Sequence, residues 1–142
     1  MAAKIEKVTV RNELSDLPAV YAALENFAET ANLPDEARRS LMLVAEELFS
    51  NTVSYGYPGG EVDVIAVSAA LRTKHVELTL VDSARPFDSS VSPSAPDEPD
   101  DVETMNIGGL GLFLVHQLAD QVITKRDGDR NMTIVLLPHQ ID

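Results

Sequence analysis

The sequence predicts an α+β fold, a two-layer α/β sandwich in which helices cover one face of a mixed, mostly antiparallel sheet. Three observations predict it. Stretches with an apolar residue at every second position, as in half-buried strands, occur near both ends of the chain and in its middle. Stretches with helical apolar spacing lie between them. The length of 142 residues suits one hydrophobic core, so 1–142 is treated as a single domain.

The N-terminal part of the chain is predicted to form a strand and a helix. Residues 4–10 alternate polar and apolar side chains and are rich in β-branched types, which indicates a strand. Ser15 and Asp16 are residue types that cap helices, and apolar residues recur after them at helical spacing. We therefore expect a first helix that starts after Asp16 and ends near Asn32.

A second helix is predicted to begin at Pro34 and to end before Gly56. Proline is tolerated in a first helical turn, and the glycines and proline of residues 56–60 cannot continue a helix. The apolar spacing within this helix predicts one buried stripe, formed by Leu41, Val44, Ala45, Leu48 and Thr52.

A hairpin is predicted next. Val62, Val64 and Ala66 alternate with Asp63 and Ile65 in its first strand. In its second strand Val76, Leu78 and Leu80 alternate with Glu77 and Thr79, and residues 72–74 connect the two strands.

The last third of the chain begins with an irregular segment. Residues 86–107 contain four prolines and six acidic residues without a hydrophobic period, which predicts a long loop, either a functional one or a disordered linker. A short apolar helix is predicted after residues 108–111, followed by two strands around 125–127 and 132–137. Asp127-Gly128 is predicted to supply the turn between those strands.

Composition excludes several classes of protein. No apolar run approaches the length of a membrane-spanning helix, and the chain does not start with a signal peptide. The absence of cysteine excludes disulfide scaffolds and thiolate metal sites and suits a reducing compartment, so we expect a cytoplasmic protein without a membrane partner. A net charge of −12 would repel phosphate backbones, which argues against nucleic acid as a direct partner.

Glu47 and Asn51 are the first candidate site residues. They stand four residues apart on the second helix and therefore share one side of it, at the rim of the buried stripe. A partly desolvated carboxylate there gains basicity, and an amide oxygen one turn later can coordinate Mg²⁺. The same spacing also occurs on ordinary solvated helix surfaces.

Asp82 is the second candidate. It continues the parity of Val76, Leu78 and Leu80, which places its carboxylate on the apolar side of the strand. A carboxylate there needs hydrogen-bond donors, and an adenine amino group is one possible donor. The alternative is that the strand has already ended and Asp82 caps the following turn.

Gly108, Gly109 and Gly111 form the third candidate group. They open a helix, and glycines at a helix start let the backbone and its free N–H groups approach a phosphate closely. No lysine or arginine occurs from residue 86 to residue 124, so phosphate held here would depend on backbone amides and metal. A simple turn is the alternative interpretation.

Three blocks in this order resemble the Bergerat ATP-binding fold of gyrase, heat-shock chaperones, histidine kinases and mismatch-repair ATPases. The blocks are Glu47-Leu48-Phe49-Ser50-Asn51, Val81-Asp82-Ser83-Ala84-Arg85-Pro86, and Gly108-Gly109-Leu110-Gly111-Leu112. Within that superfamily the chain is most similar to the small anti-sigma factor serine kinases of bacteria, and the resemblance covers nearly its whole length.

The resemblance implies a role for each matching residue. Glu47 matches the general base, Asn51 the Mg²⁺ ligand and Asp82 the residue that reads adenine. Gly109 and Gly111 match the glycines that close over the phosphates, and residues 88–107 match the ATP lid. The family usually has glycine where this chain has Ala84, and either Asn131 or Thr133 matches its nucleotide-contacting threonine.

The resemblance also implies a function, with ATP and Mg²⁺ as cofactors. It implies a homodimeric kinase that phosphorylates a serine of an anti-anti-sigma protein and otherwise holds a sigma factor inactive. A catalytically silent module that sequesters a partner is the alternative, with Ala84 as its main support. A sensor histidine kinase fragment is a third possibility, but the chain is too short to include the phospho-accepting hairpin, and His116 is expected to be structural.

Overall fold

The chain folds into the predicted order of elements. The computed structural model describes residues 5–86 and 107–139. The elements are β1 (Ile5–Arg11), a short 3₁₀ helix (Leu14–Asp16), α1 (Leu17–Ala31), α2 (Asp35–Tyr55), β2 (Val64–Leu71), β3 (His75–Asp82), α3 (Ile107–Leu118), β4 (Gln121–Asp127) and β5 (Arg130–Pro138). Of the predicted lid, residues 88–106 lie outside the described residues, and Ile107 is the first residue of α3.

The five strands form one sheet in the order β1-β2-β3-β5-β4. All four neighbouring pairs are antiparallel, so the prediction of a mixed sheet is wrong for the described strands. The pairs β2–β3 and β4–β5 are short hairpins, whose strands are necessarily antiparallel. The pairing of β3 with β5 then places the residues that follow β3 beside the start of β5.

Helices cover one side of this sheet, which confirms the two-layer arrangement. The core lies between α1, α2 and α3 and the apolar side chains of the three central strands. Its largest fully buried members from the helices are Leu24, Phe27, Leu41 and Phe49, and those from the strands are Ile65, Leu78, Leu80 and Leu137. Four members of the predicted stripe on α2 are buried, and Thr52 is only partly buried.

The alternation of Val62, Val64 and Ala66 with Asp63 and Ile65 predicts the wrong buried side for β2. The strand begins at Val64, and the structure buries Ile65, Val67 and Ala69 while Val62 and Val64 are 88% and 57% exposed. Apolar residues occupy both parities of this stretch, so alternation could not select between them. Pairing with β3 does, because Val67 lies opposite the buried Leu80.

Helix α1 begins after Asp16 as predicted, but Asp16 does not cap it with its side chain. The carboxylate instead accepts hydrogen bonds from the backbone N–H and the guanidinium of Arg11. The predicted end at Asn32 is confirmed, because Asn32 adopts a left-handed conformation (φ 54°) that stops the helix.

The C-terminal hairpin turns one residue later than predicted. Asp127 pairs with Arg130, so Gly128 and Asp129 are the two loop residues. Gly128 has φ +61° and Asp129 does not have a positive φ, which is the pattern of a type II′ hairpin turn. No helix within residues 5–86 and 107–139 combines the length and apolar character needed to cross a membrane.

Candidate functional site

Helix α2 places Glu47 and Asn51 at the edge of the core, as predicted. Both residues are partly buried. Glu47 lies about one turn, and Asn51 about two turns, after the fully buried Val44. Burial raises the pKa of the Glu47 carboxyl, and the neighbouring negative charge of Glu46 adds to this effect. Glu47 is therefore a better proton acceptor than a fully solvated glutamate.

The neighbouring Glu46 has a different environment. The Tyr21 hydroxyl of α1 donates a hydrogen bond to its carboxylate. Glu46 also lines a surface groove of about 420 Å³ between α1 and α2, together with Tyr21 and Met42. The two adjacent glutamates of α2 thus belong to two different surfaces.

Helix α3 packs on α2 at Glu47. A Cβ atom built on Gly111 would lie 1.9 Å from Glu47 Oε2, so only glycine leaves the carboxylate in its present position. Gly109 lies in the first turn of α3, where backbone N–H groups have no acceptor within the helix. Gly111 lies one turn on, where the helical pattern directs its N–H to the carbonyl of Ile107. The two predicted phosphate-binding glycines therefore differ in what their amides can offer.

Asp82 ends β3 with its side chain on the helix-covered side of the sheet, as its parity predicts. It is 5% exposed. Its Oδ1 atom accepts two hydrogen bonds of 2.9 Å, one from the Ala84 N–H and one from Asn131 Nδ2. The residue is thus both the last residue of a strand and a buried acceptor, so the two alternatives of the sequence analysis are not exclusive.

Asn131 connects Asp82 to the turn that follows it. Besides its bond to Asp82, its Nδ2 atom donates to the carbonyls of Ala84 (2.9 Å) and Arg85 (3.3 Å). Its Oδ1 atom accepts a 2.7 Å hydrogen bond from Arg126 Nη1, which also donates to the Ala84 carbonyl. The amide of Asn131 is therefore engaged by protein groups at both ends.

The buried polar residues of the described chain lie together. The buried polar or charged side chains in residues 5–86 and 107–139 are Asp82, Asn131 and Thr133. Asp82 is paired with Asn131, and Thr133 follows on the same side of β5, opposite Leu80. The hydroxyl of Thr124, which is paired with Thr133, is also buried and has no hydrogen-bond partner among the described residues. This end of an otherwise apolar surface is equipped to bind polar groups.

Ala84 lies where the resembled family has glycine, and its methyl group points at α2. It is buried, and it lies 2.6 Å from where a Cβ on Gly56 would stand. The backbone of Ala84 does not have a positive φ. The Arg85 N–H donates to the Gly56 carbonyl at 3.0 Å, which ties the same turn to the end of α2. Glycine at 56 thus accommodates the methyl group of Ala84.

Hydrogen bonds to Asp63 also hold the turn that follows β3. Asp63 Oδ2 accepts bonds from the Tyr57 hydroxyl (2.6 Å) and the Ser83 N–H (2.9 Å). Burial alone would raise the pKa of Asp63, but these hydrogen bonds outweigh it and hold that pKa below its ordinary value. Burial and the bond to Asp63 raise the pKa of the Tyr57 hydroxyl. The negative charges of Asp63 and Asp82 raise this pKa further.

Sequence reasoning missed the roles of Asn131, Tyr57 and Asp63. Parity offered a signal for Asn131, because it stands on the same side of β5 as Val135 and Leu137, as Asp82 does on β3. The Tyr57–Asp63 contact joins a loop to the residue before a strand and has no signal in local spacing.

Comparison with known proteins identifies the class. Residues 10–137 match the model of the family described as histidine kinase-like ATPase domain. A histidine kinase domain from the Erythrobacter litoralis EL346 blue-light activated histidine kinase superposes with a TM-score of 0.55 at 16% identity, over 84% of this chain and 61% of that one. A second structure of that kinase gives 0.53 at 17% identity, over 75% of this chain and 32% of that one. This chain thus spans about three fifths of the first of those chains and about one third of the second. At this level of identity, the structural similarity shows only that the two proteins share a fold.

Curated relatives narrow the class. The serine-protein kinase RsbW of Listeria monocytogenes serovar 1/2a is 30% identical over 119 residues, 80% of this chain and 73% of that protein. The serine-protein kinase RsbW of Oceanobacillus iheyensis is 29% identical over 104 residues, 70% of this chain and 65% of that protein. The chain therefore belongs to the histidine kinase-like ATPase domain family, and within it to the group of the RsbW serine-protein kinases.

Proposed function

We propose that this protein is an anti-sigma factor that uses ATP to phosphorylate a serine of an anti-anti-sigma protein. The observation that carries the proposal is the buried carboxylate of Asp82, which lies on the helix-covered side of the sheet. Its two hydrogen bonds to residues that the structure describes both end on Oδ1. A buried carboxylate beside polar Thr133 is suited to a ligand that supplies a further N–H donor. The 6-amino group of adenine is such a donor.

The adenine end of the site is proposed to lie where the turn 82–85 meets the end of α2. Asn131 is occupied by protein groups, so Thr133 is the better candidate for a nucleotide contact from β5. The methyl group of Ala84 is directed at Gly56, which favours an active nucleotide site over a silent module. Gly56 stands nine positions after Glu47, which is about 14 Å along the helix at 1.5 Å per residue.

Glu47 and Asn51 are proposed to act at the phosphate end. The raised pKa of Glu47 suits a general base that accepts the proton of the attacking serine hydroxyl. Asn51 offers a neutral amide oxygen on the same side of α2, and this fits Mg²⁺, which takes few protein ligands and fills its octahedron with water and phosphate oxygens. When bound, that ion offsets negative charge on the phosphates. Gly109 would present its backbone N–H to them.

The partners follow from the same proposal. The protein binds a sigma factor when it is not acting on the anti-anti-sigma protein, forms a homodimer and works in the cytoplasm, without direct contact to nucleic acid or membrane. The acidic net charge of −12 supports protein partners over nucleic acid.

The proposed function is tested by incubating the protein with radiolabelled ATP, Mg²⁺ and the anti-anti-sigma protein encoded beside it. Phosphoserine should appear on that protein. Glu47→Gln should bind nucleotide like the native protein but transfer phosphate at least about a hundredfold more slowly, because glutamine cannot accept the serine proton. Asn51→Ala should weaken both nucleotide binding and transfer, because it removes a metal-coordinating oxygen.

Glu46→Gln is the matched control. Glu46 adjoins Glu47 in sequence but contacts Tyr21 in the α1–α2 groove. Its loss removes only the smaller of the two causes that raise the Glu47 pKa, so transfer should fall far less than in Glu47→Gln. If Glu47→Gln phosphorylates at the native rate, or the native protein binds a sigma factor but modifies no serine, the kinase proposal is wrong and a silent sequestering module replaces it.

A further inference from the structure

We propose that Gly111 is a positioning residue for Glu47: the missing side chain of Gly111 leaves the space that the Glu47 carboxylate fills, and so fixes where the base stands. This inference rests on the proposed function, because it concerns the geometry of the base in that reaction. It assigns Gly111 a different role from the one that the family resemblance implies, which is contact with the phosphates.

The contact is specific to Glu47. The three nearest heavy atoms to a Cβ built on Gly111 are Oε2, Cδ and Cγ of Glu47, at 1.9, 2.8 and 3.4 Å. Two of these distances are too short for any real Cβ atom. No atom of the sheet or of another helix is among the three. Any side chain at position 111 therefore displaces the Glu47 carboxylate before it disturbs anything else.

The backbone of α3 would tolerate the substitution. Gly111 lies inside the helix and is not among the described glycines that have a positive φ. Alanine is a better helix former than glycine, so the change favours α3 itself. The atoms that must move are the far end of a flexible side chain, which can rotate. Gly111→Ala is thus expected to fold at least as stably as the native protein while its Glu47 carboxylate is moved.

The amide of Gly111 argues against the phosphate role. In the second turn of α3 its N–H is directed to the carbonyl of Ile107, whereas Gly109 lies in the first turn and has no such acceptor. A phosphate-contacting glycine would affect nucleotide binding when it is replaced. A glycine that positions the base would affect the transfer step and leave nucleotide binding unchanged.

The decisive experiment is steady-state kinetics of Gly111→Ala with the anti-anti-sigma substrate. A misplacement of about 1 Å at a reacting group can cost on the order of a hundredfold, so we expect kcat to fall at least about tenfold while KM for ATP stays within about twofold. The thermal midpoint should be equal or higher. A raised KM with unchanged kcat would overturn the proposal in favour of phosphate contact.

A second measurement does not depend on activity. The pKa of Glu47, followed by NMR of carboxyl-labelled, nucleotide-free protein, should be lower in Gly111→Ala than in the native protein. A carboxylate pushed out from under α3 is better solvated, and Glu46, whose charge also raises this pKa, is untouched. An unchanged Glu47 pKa would mean that the carboxylate has not moved and would overturn the proposal.

Gly59→Ala is the matched control. A Cβ there would lie 2.5 Å from Glu61 Oε1, so the variant also displaces one glutamate carboxylate, but in the loop before β2. It should phosphorylate at the native rate. In a Glu47→Gln background Gly111→Ala should cost no further activity, because the base is already absent; an additive loss would contradict the proposal. Full activity of Glu47→Gln alone would instead refute the proposed function, so the two failures are distinguishable.

Discussion

Asn131 and Asp82 are direct partners across the antiparallel pair β5–β3, and the amide of Asn131 donates to Asp82 Oδ1 at 2.9 Å. The same amide donates to two carbonyls of the turn that follows Asp82. One neutral side chain therefore orients the carboxylate and holds the turn beside it. This division gives Asn131 a structural role, while the recognition of adenine by Asp82 stays a proposal.

Asn131→Ala should destabilise the fold by about 1–3 kcal/mol, because it removes a buried amide that donates to Asp82 Oδ1 and to the Ala84 and Arg85 carbonyls and that accepts from Arg126. Urea unfolding followed by circular dichroism measures the change. Asn26→Ala is the control, since Asn26 is exposed and its side chain bonds, among the described residues, to Glu6 on the surface. This variant should stay within about 0.5 kcal/mol of the native protein. Equal effects of the two substitutions would contradict the role given to Asn131.

Asp82→Asn should abolish the stabilisation of the protein by Mg-ATP or Mg-ADP. A ligand at a hundredfold excess over its Kd adds about 2.7 kcal/mol to the native protein. In the variant the amide oxygen can still accept from Ala84 and Asn131, which leaves the –NH₂ group in the place of Oδ2, opposed to the adenine amino group. Differential scanning fluorimetry with and without nucleotide measures the effect.

Asp120→Asn is the control for that experiment. Asp120 bonds to His75, at the opposite end of β3 from Asp82, so its variant should keep the full nucleotide-induced rise in Tm. A native protein that shows no rise at millimolar nucleotide would contradict the assignment of the site.

The stability contributed by Asp63 should depend on acid pH. Its pKa is held below its ordinary value of 3.8 in the folded protein, so the folded state favours the charged form. That contribution is fully present above about pH 4 and is lost as pH falls through the folded pKa. The difference in unfolding free energy between the native protein and Asp63→Asn should therefore shrink from pH 7 to pH 3.

Tyr57→Phe should reduce that pH dependence without removing it. The variant lacks one of the hydrogen bonds to Asp63 Oδ2 and keeps the one from Ser83. Urea titrations of the three proteins across the same pH series make the comparison. A native-minus-variant difference that is the same at pH 3 and at pH 7 would show that Asp63 is not stabilised in its charged form.

Much of the fold was predictable because each element carries its own local signal. The end of α1 at Asn32, the end of α2 before Gly56 and the hairpin β2–β3 are set by residues within a few positions of each boundary. The buried side of β2 was not predictable in this way. Ile65 and Val64 are equally apolar, and only pairing with β3, a contact between distant segments, decides which of them is buried.

In the candidate site, too, the features with a local sequence signal were predictable and the contacts between distant segments were not. Asp82 follows from parity, a local property, and its buried position is confirmed. Three contacts join segments that are far apart in the sequence and could not be predicted: Asn131 with Asp82, Gly111 with Glu47 and Ala84 with Gly56. The roles of Glu47, Asn51, Gly109 and Gly111 in binding and catalysis stay predictions.

Gly56→Ala should destabilise the protein, and Ala84→Gly should relieve part of the cost. A Cβ at position 56 would lie 2.5 Å from the Thr52 carbonyl oxygen and 2.6 Å from the Ala84 Cβ, and neither atom belongs to a flexible chain end. Overpacking of this kind costs about 1–3 kcal/mol. In the double variant the contact with Ala84 is removed but that with Thr52 remains, so stability should be higher than the sum of the single effects and lower than native. Urea unfolding of the four proteins measures this coupling. Strict additivity would show that the methyl group of Ala84 does not pack on the end of α2, and Ala84 would again support a catalytically silent module.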